Sequence, residues 1–162
     1  MNGKLRNMTS LYLVREGEIL CLLRQGSRVA NNKYVGCCGG HFEEEELSDA
    51  GACILREMEE ELGLKEEDVE DMTLRYVTIR YMGHEIRQNY YFFARLKGER
   101  TLSSTEGNLR WCSWEELENL EMPVSARHMM DHDLKEGRFT AERYAGITEP
   151  AGTRFVKLQH FE

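Results

Sequence analysis

The sequence predicts an α/β or α+β domain with a mixed β-sheet, and three observations carry that prediction. At 162 residues, with 41% hydrophobic and 31% charged, the chain has the length and balance of one globular unit able to bury a core. Short β-rich runs stand near its start, in its middle and near its end. Helical patterns fall between these runs, so the two kinds of element alternate along the chain.

The elements follow in order. Thr9 to Val14 and Ile19 to Leu23 read as strands around the turn Glu16-Gly17-Glu18. Lys33 to Cys38 reads as a short strand ending at Gly39-Gly40. Ser48 is placed as an N-cap for a helix over Asp49 to Leu62, with Gly63 at the position that wants a left-handed residue. Thr73 to Tyr81 and Glu85 to Leu96 form the strongest hairpin pattern, around Met82-Gly83-His84. Leu109 to Ser113 is a further strand, and Trp114 to Leu120 and Ser125 to Lys135 are helical. Tyr144 to Ile147 and Phe155 to Gln159 predict a closing hairpin across Glu149-Pro150-Ala151-Gly152.

Composition excludes several function classes. No apolar run is long enough for a transmembrane helix, and MNGKLRNMTSLYLVREG lacks the apolar stretch of a signal peptide. The five cysteines form no CxxC pair, which argues against a disulfide framework or a zinc cluster and for a cytoplasmic setting. Cys37-Cys38 reads as a strand end, and His128 and His132 as residues of a helix packed on the sheet. The net charge of -8 is concentrated: His41 to Asp71 holds fourteen acids against two bases, while the rest has nineteen bases against fifteen acids. Such a segment repels a nucleic-acid polymer and attracts a divalent cation.

Spacing gives the acidic segment its meaning. At 100° per residue, Ile54, Leu55, Met58 and Leu62 share one sector of the helix, which faces the core. Glu57, Glu60 and Glu61 share another and place three carboxylates within about a turn. Like charges at that spacing cost a helix a few tenths of a kcal/mol per pair, and a hard cation is the natural compensation. Ala50 and Cys53 are small and leave room above the acidic face. The glycines at 39 and 40 let the backbone come close, so a carbonyl of that turn can add another oxygen.

GGHFEEEELSDAGACILREMEEELGL, from Gly39 to Leu64, resembles the Nudix box, GX5EX7REUXEEXGU with U aliphatic. The second half, Arg56 to Leu64, matches fully. In the first half Glu46 follows Gly40 at the required distance, but nine residues separate it from Arg56 where the pattern has seven. The two extra residues fall between loop and helix and leave Glu43, Glu44 or Glu45 able to take the place of Glu46. Together with the hairpin and Glu106-Gly107-Asn108-Leu109-Arg110-Trp111, the likeness extends over roughly residues 8–122.

The resemblance implies a Nudix α/β/α sandwich with a mixed sheet, one domain over 1–162 with a C-terminal extension at about 123–162. It implies that Glu57, Glu60 and Glu61, with the Gly39 carbonyl and Glu106, bind Mg²⁺ or Mn²⁺, and that Arg56 orients the loop through a carboxylate. The general base is Glu60, Glu57 or Glu106. The activity implied is hydrolysis of a nucleoside diphosphate linked to a group X, foremost a nucleoside triphosphate cleaved to monophosphate and pyrophosphate. GGHFEEEELSDA followed by IRQNYYFFARL looks like bacterial MutT-like proteins that act on oxidised purine triphosphates such as 8-oxo-dGTP. Arg24, Arg28, Tyr76, Arg80, Arg87, Asn89 and Tyr91 are the candidate substrate residues. The alternatives are another diphosphate, such as a nucleotide sugar or dinucleoside polyphosphate, or a non-catalytic nucleotide sensor. The expected partner is a small nucleotide, without nucleic-acid polymer or membrane and with room for a homodimer.

Overall fold

Eight strands join one sheet: β1 (Lys4–Arg15), β2 (Glu18–Arg24), β3 (Lys33–Gly36), β4 (Val69–Met82), β5 (Glu85–Leu96), β6 (Gly107–Ser113), β7 (Arg143–Glu149) and β8 (Gly152–Leu158). The helices are α1 (Ala50–Leu62), α2 (Trp114–Leu117) and α3 (Val124–Lys135). This computed structural model describes residues 3–26 and 31–159. Among the described residues no helix is long and apolar enough to cross a membrane.

The sheet is mixed. β1 and β5 run parallel at its centre, in register from Lys4 beside Glu85 to Val14 beside Arg95. β4 pairs antiparallel with β5 and parallel with β7, and β7 pairs antiparallel with β8. On the other side β2 meets β1 over Glu18 to Leu20 and β3 over Cys21 to Arg24, while β6 follows its opposite edge from Glu18 to Arg24.

Alternation along the central strands sets the layers. Leu11 and Leu13 of β1, with Phe92, Ala94 and Leu96 of β5, pack against Ile54, Met58 and Leu62 of α1. Tyr12, Tyr91 and Tyr76 turn the other way, to Leu117 of α2 and Ala126, Met129 and Met130 of α3. The result is helix, sheet, helix. All five cysteines are free and buried in these cores or beside them.

The strand pattern of β4 is interrupted twice, between Glu70 and Thr73 and between Leu74 and Tyr76, and the second interruption has the larger effect. Leu74 pairs with Phe92, but Tyr76 pairs with Tyr91, so β4 carries an extra residue at this point. Two positions that strict alternation would put on one face therefore serve opposite cores. The displaced residue, Arg75, sends Nε to the Glu142 carbonyl (3.0 Å) and Nη2 to the Gly137 carbonyl (2.6 Å). It thus anchors the segment that leads into β7, through which β7 and β8 join the sheet edge. Tyr76 is fully buried, stacks on Tyr144 and shares a 2.8 Å hydrogen bond with His132 Nδ1. His128 Nδ1 lies 2.9 Å from Thr153 Oγ1. Both histidines therefore tie α3 to the sheet.

Replacing Arg75 with Met leaves two carbonyls without their charged donor, at about 1.5–3 kcal/mol. Urea unfolding is expected to show that loss, with faster amide exchange in β7 and β8 than in α1. Equal loss of protection in α1 would disprove the local anchoring role.

Candidate active site

The glutamate helix is fixed at both ends before its glutamates matter. Asp49, not Ser48, is the N-cap: its Oδ1 accepts from Ala52 N at 3.0 Å, so the helix starts one residue later than the sequence pattern suggested. Gly63 closes it at φ 67°, donating to the Glu59 carbonyl. With the apolar face seated in the core, the three glutamates differ. The Glu57 side chain is 12% exposed and that of Glu60 is 58% exposed. Glu61 is partly buried and accepts from Gly39 N–H at 3.2 Å.

The glycine turn reaches this helix because the chain leaving β3 runs beside β1. Cys37 N–H donates to the Leu11 carbonyl, Leu11 N–H to Cys38 and Thr9 N–H to Gly40, all at 2.8–2.9 Å. A Cβ at Gly39 would overlap the backbone of Thr9 and Ser10, and one at Gly40 would overlap the Glu57 carboxylate. Bare backbone is required at both.

Arg56 joins turn, loop and helix. It grips Glu46 with two bonds (Nε to Oε1 2.6 Å, Nη2 to Oε2 3.0 Å) and reaches Glu57 (2.9 Å), Glu60 (3.2 Å) and the His41 carbonyl (3.1 Å). Glu46 is the buried member of the run Glu43 to Glu46. Its other support is the Glu43 N–H, at 2.9 Å. The two extra residues of the box lie in an exposed turn at Leu47 and Ser48, where they do not disturb this pairing. The guanidinium holds the Glu46 carboxyl down at about 2. Burial pushes Glu61 up to about 7, the charges of Glu57 and Glu106 add to that shift, and Gly39 N–H and Arg24 oppose it.

A cavity of about 230 Å³ opens beside this cluster. Gly39, Gly40, Glu61 and Glu106 line one end, where Arg24 Nη2 stands 3.7 Å from Glu106. Of the predicted substrate residues, Arg24, Arg80, Arg87, Asn89 and Tyr91 line the cavity. Tyr76 does not: it shares the face of Tyr91, but its ring is covered by His132, Tyr144 and Phe155 and stands apart from the cavity. Arg28 lies outside the described residues. Glu57 stands under Gly40, and Glu60 turns outward onto Arg56. The sequence reading missed Tyr12 and the start of α3 as cavity walls. Tyr12 sits in an apolar run that reads as core, and α3 reaches the cavity only through tertiary packing.

Among the described residues no three acidic, His or Cys side chains are gathered closely enough to grip an ion as they stand. The donors are nevertheless hard oxygens, and the charges of Glu57 and Glu106, which add to the effect of burial on Glu61, are what a divalent cation relieves. Glu57, Glu61 and Glu106, with the adjacent Gly39 carbonyl, are the groups that suit one.

The Arg56–Glu46 pair also sets a pH dependence. A carboxyl whose pKa is lowered by folding, from 4.5 to about 2, stabilises the protein above the higher value and ceases to as pH falls through the lower. Glu46→Gln is expected to cost about 1.5–3 kcal/mol at neutral pH and to flatten the acid limb of the stability curve in that window. An unchanged acid limb by chemical denaturation would contradict the pairing.

The sequence profile of the NUDIX domain matches residues 4–132. No curated protein gives a match. Among solved structures, the MutT protein from Bacillus halodurans is 19% identical with a TM-score of 0.65, the alignment covering 93% of this chain and 97% of that one. A NUDIX hydrolase from Nitrosomonas europaea is 16% identical with a TM-score of 0.71, covering 91% and 81%. The Ap4A hydrolase of C. elegans is 16% identical with a TM-score of 0.62, covering 78% and 93%. At these identities the likeness is one of fold. The profile match takes in the whole of α1 and the glycine turn around which the site is built, and on that ground the chain belongs to the NUDIX domain family.

Proposed function

We propose that the protein hydrolyses a nucleoside diphosphate linked to a second group, with Mg²⁺ or Mn²⁺ as cofactor. Its first substrate class in this reading is a nucleoside triphosphate, oxidised purine triphosphates included, cleaved to the monophosphate and pyrophosphate. The observation that carries the reading is the convergence of Glu61, Glu106 and the glycine turn at one end of a cavity whose walls hold Arg24, Asn89 and Tyr91.

The chain's own groups divide the work. Gly39 and Gly40 bring backbone close to where phosphate oxygens lie, and Arg24 offers them a positive charge. Arg56 does not face the cavity; it holds Glu46, Glu57 and Glu60 in place. Glu106 is the carboxylate best placed to take the proton of the attacking water, because its one charged partner among the described residues is Arg24 at 3.7 Å. Glu57 and Glu60 give oxygens to Arg56 instead. Water attacks phosphorus, its proton passes to Glu106, and the P–O bond to the departing phosphate group breaks. A divalent cation bound by the carboxylates supplies neutralisation of the diphosphate charge.

The purified protein should be incubated with Mg²⁺ and a panel of canonical and oxidised triphosphates, nucleotide sugars and dinucleoside polyphosphates, with products identified by chromatography. Monophosphate plus pyrophosphate from a triphosphate is the expected result. Turnover of a nucleotide sugar or dinucleoside polyphosphate alone would replace the substrate and keep the hydrolase. Glu106→Gln and Glu57→Gln are each expected to lower kcat by about 10²-fold or more in a folded protein, and chelation by EDTA to abolish turnover.

A further inference from the structure

The end of the cavity opposite the glutamates is positive, and more so than a neutral nucleobase requires. Arg6 of β1 stands directly opposite Arg87 of β5, which stands directly opposite Arg80 of β4. Residues so paired share one face of the sheet, and like charges placed this way repel. A single carboxylate, Glu85, serves two of them: it bonds Arg87 Nε at 2.5 Å and pairs with Arg6. Arg80 has no ion-pair partner among the described residues. Arg80 and Arg87 both line the cavity.

Two further features point into the same region. The first turn of α3 lines the cavity through Ser125 and Ala126; it has no side-chain cap and no acid, so its N–H groups present the positive end of the helix. Tyr12 lines the cavity, is fully buried, and its hydroxyl has no partner. Buried hydroxyls without partners are costly unless a ligand group meets them.

The separation from the glutamate end follows from register. Gly40 lies beside Thr9 of β1, three residues from Arg6, and Arg80 is two strands beyond β1. That is about 10 Å along the strands and about 14 Å across them. With extended arginine side chains closing part of the gap, a nucleoside spans what remains.

We propose that Arg80 and Arg87, with the start of α3, bind a phosphate ester carried on the nucleoside itself, so that a diphosphate substrate bearing a second, separate phosphate far from the scissile bond is favoured over its counterpart without one. This rests on reading the glutamate end as the diphosphate site. The test has a binding arm that needs no catalysis. Calorimetric titration should compare AMP with adenosine 2′,5′-bisphosphate and adenosine 3′,5′-bisphosphate, on wild type, Arg80→Gln and Arg80→Lys. At least one bisphosphate is expected to bind about tenfold or more tightly than AMP in wild type. The ratio should collapse in Arg80→Gln and be partly kept in Arg80→Lys, with circular dichroism showing both variants folded. Equal binding of AMP and both bisphosphates, or a ratio that survives in Arg80→Gln, overturns the inference. The turnover arm compares kcat/KM for NADP⁺ and NAD⁺, which differ by one phosphate, and a preference for NADP⁺ that Arg80→Gln removes is expected. A retained bisphosphate preference without hydrolysis of any diphosphate would overturn the proposed reaction and support the anion site.

Discussion

One guanidinium holds the active end of this protein together. Arg56 carries its own helix into contact with the loop before it, and the two bonds to Glu46 convert a run of four glutamates into a single fixed anchor. The remaining donors meet Glu57, Glu60 and the His41 carbonyl. Without this cation the acidic face of α1 would be a set of mutually repelling side chains beside a flexible turn. With it, two of the glutamates are held from behind while Glu61 is left to face the glycine turn. A half-buried cation bonded on several sides is stabilising where an isolated one is not, so the arrangement depends on all its acceptors being present together.

The sheet supplies the other half of the site by not being uniform. β1 gives its first stretch to the chain from Cys37 to Phe42 and its last to β2, so the glycine turn lies beside a central strand. β4 and β5 continue past the helices and carry Asn89, Arg87 and Arg80 on the face toward α3. The cavity therefore has a carboxylate end and a guanidinium end, separated by strands whose spacing is fixed. Its polarity is a product of register, and a one-residue slip in β4 or β5 would turn those side chains to the opposite layer.

Much of this was legible in the sequence where the determining interactions are local. The period of α1, its closing glycine, the long central hairpin and the closing hairpin near the end all follow from short-range patterns, and the box fixed which glutamates share a face. The N-cap moved from Ser48 to Asp49 because both residues can cap and only the docked loop chooses between them. Glu46 could not be separated from Glu43, Glu44 and Glu45 by spacing, since burial distinguishes it and burial is tertiary. Tyr76 was misplaced because its ring is covered by His132, Tyr144 and Phe155, which reach it from α3, β7 and β8 only through tertiary packing. The in-register arginines 6, 80 and 87 come from three separate strands, two of them joined by a parallel pairing no hairpin rule predicts.

The last strand has a consequence of its own. Among the described residues β8 ends the sheet, and its outer backbone groups lack a strand neighbour there. Such an edge is a template on which a second chain can add, strand on strand. Arg154 and Lys157 are exposed along β8, which carries no acid, so two copies brought edge to edge would oppose positive charge to positive charge. The strands that complete the sheet thus also set how it ends, on an edge whose repulsion toward a second copy rests on Arg154, because Lys157 is already paired with Glu142 at 2.6 Å.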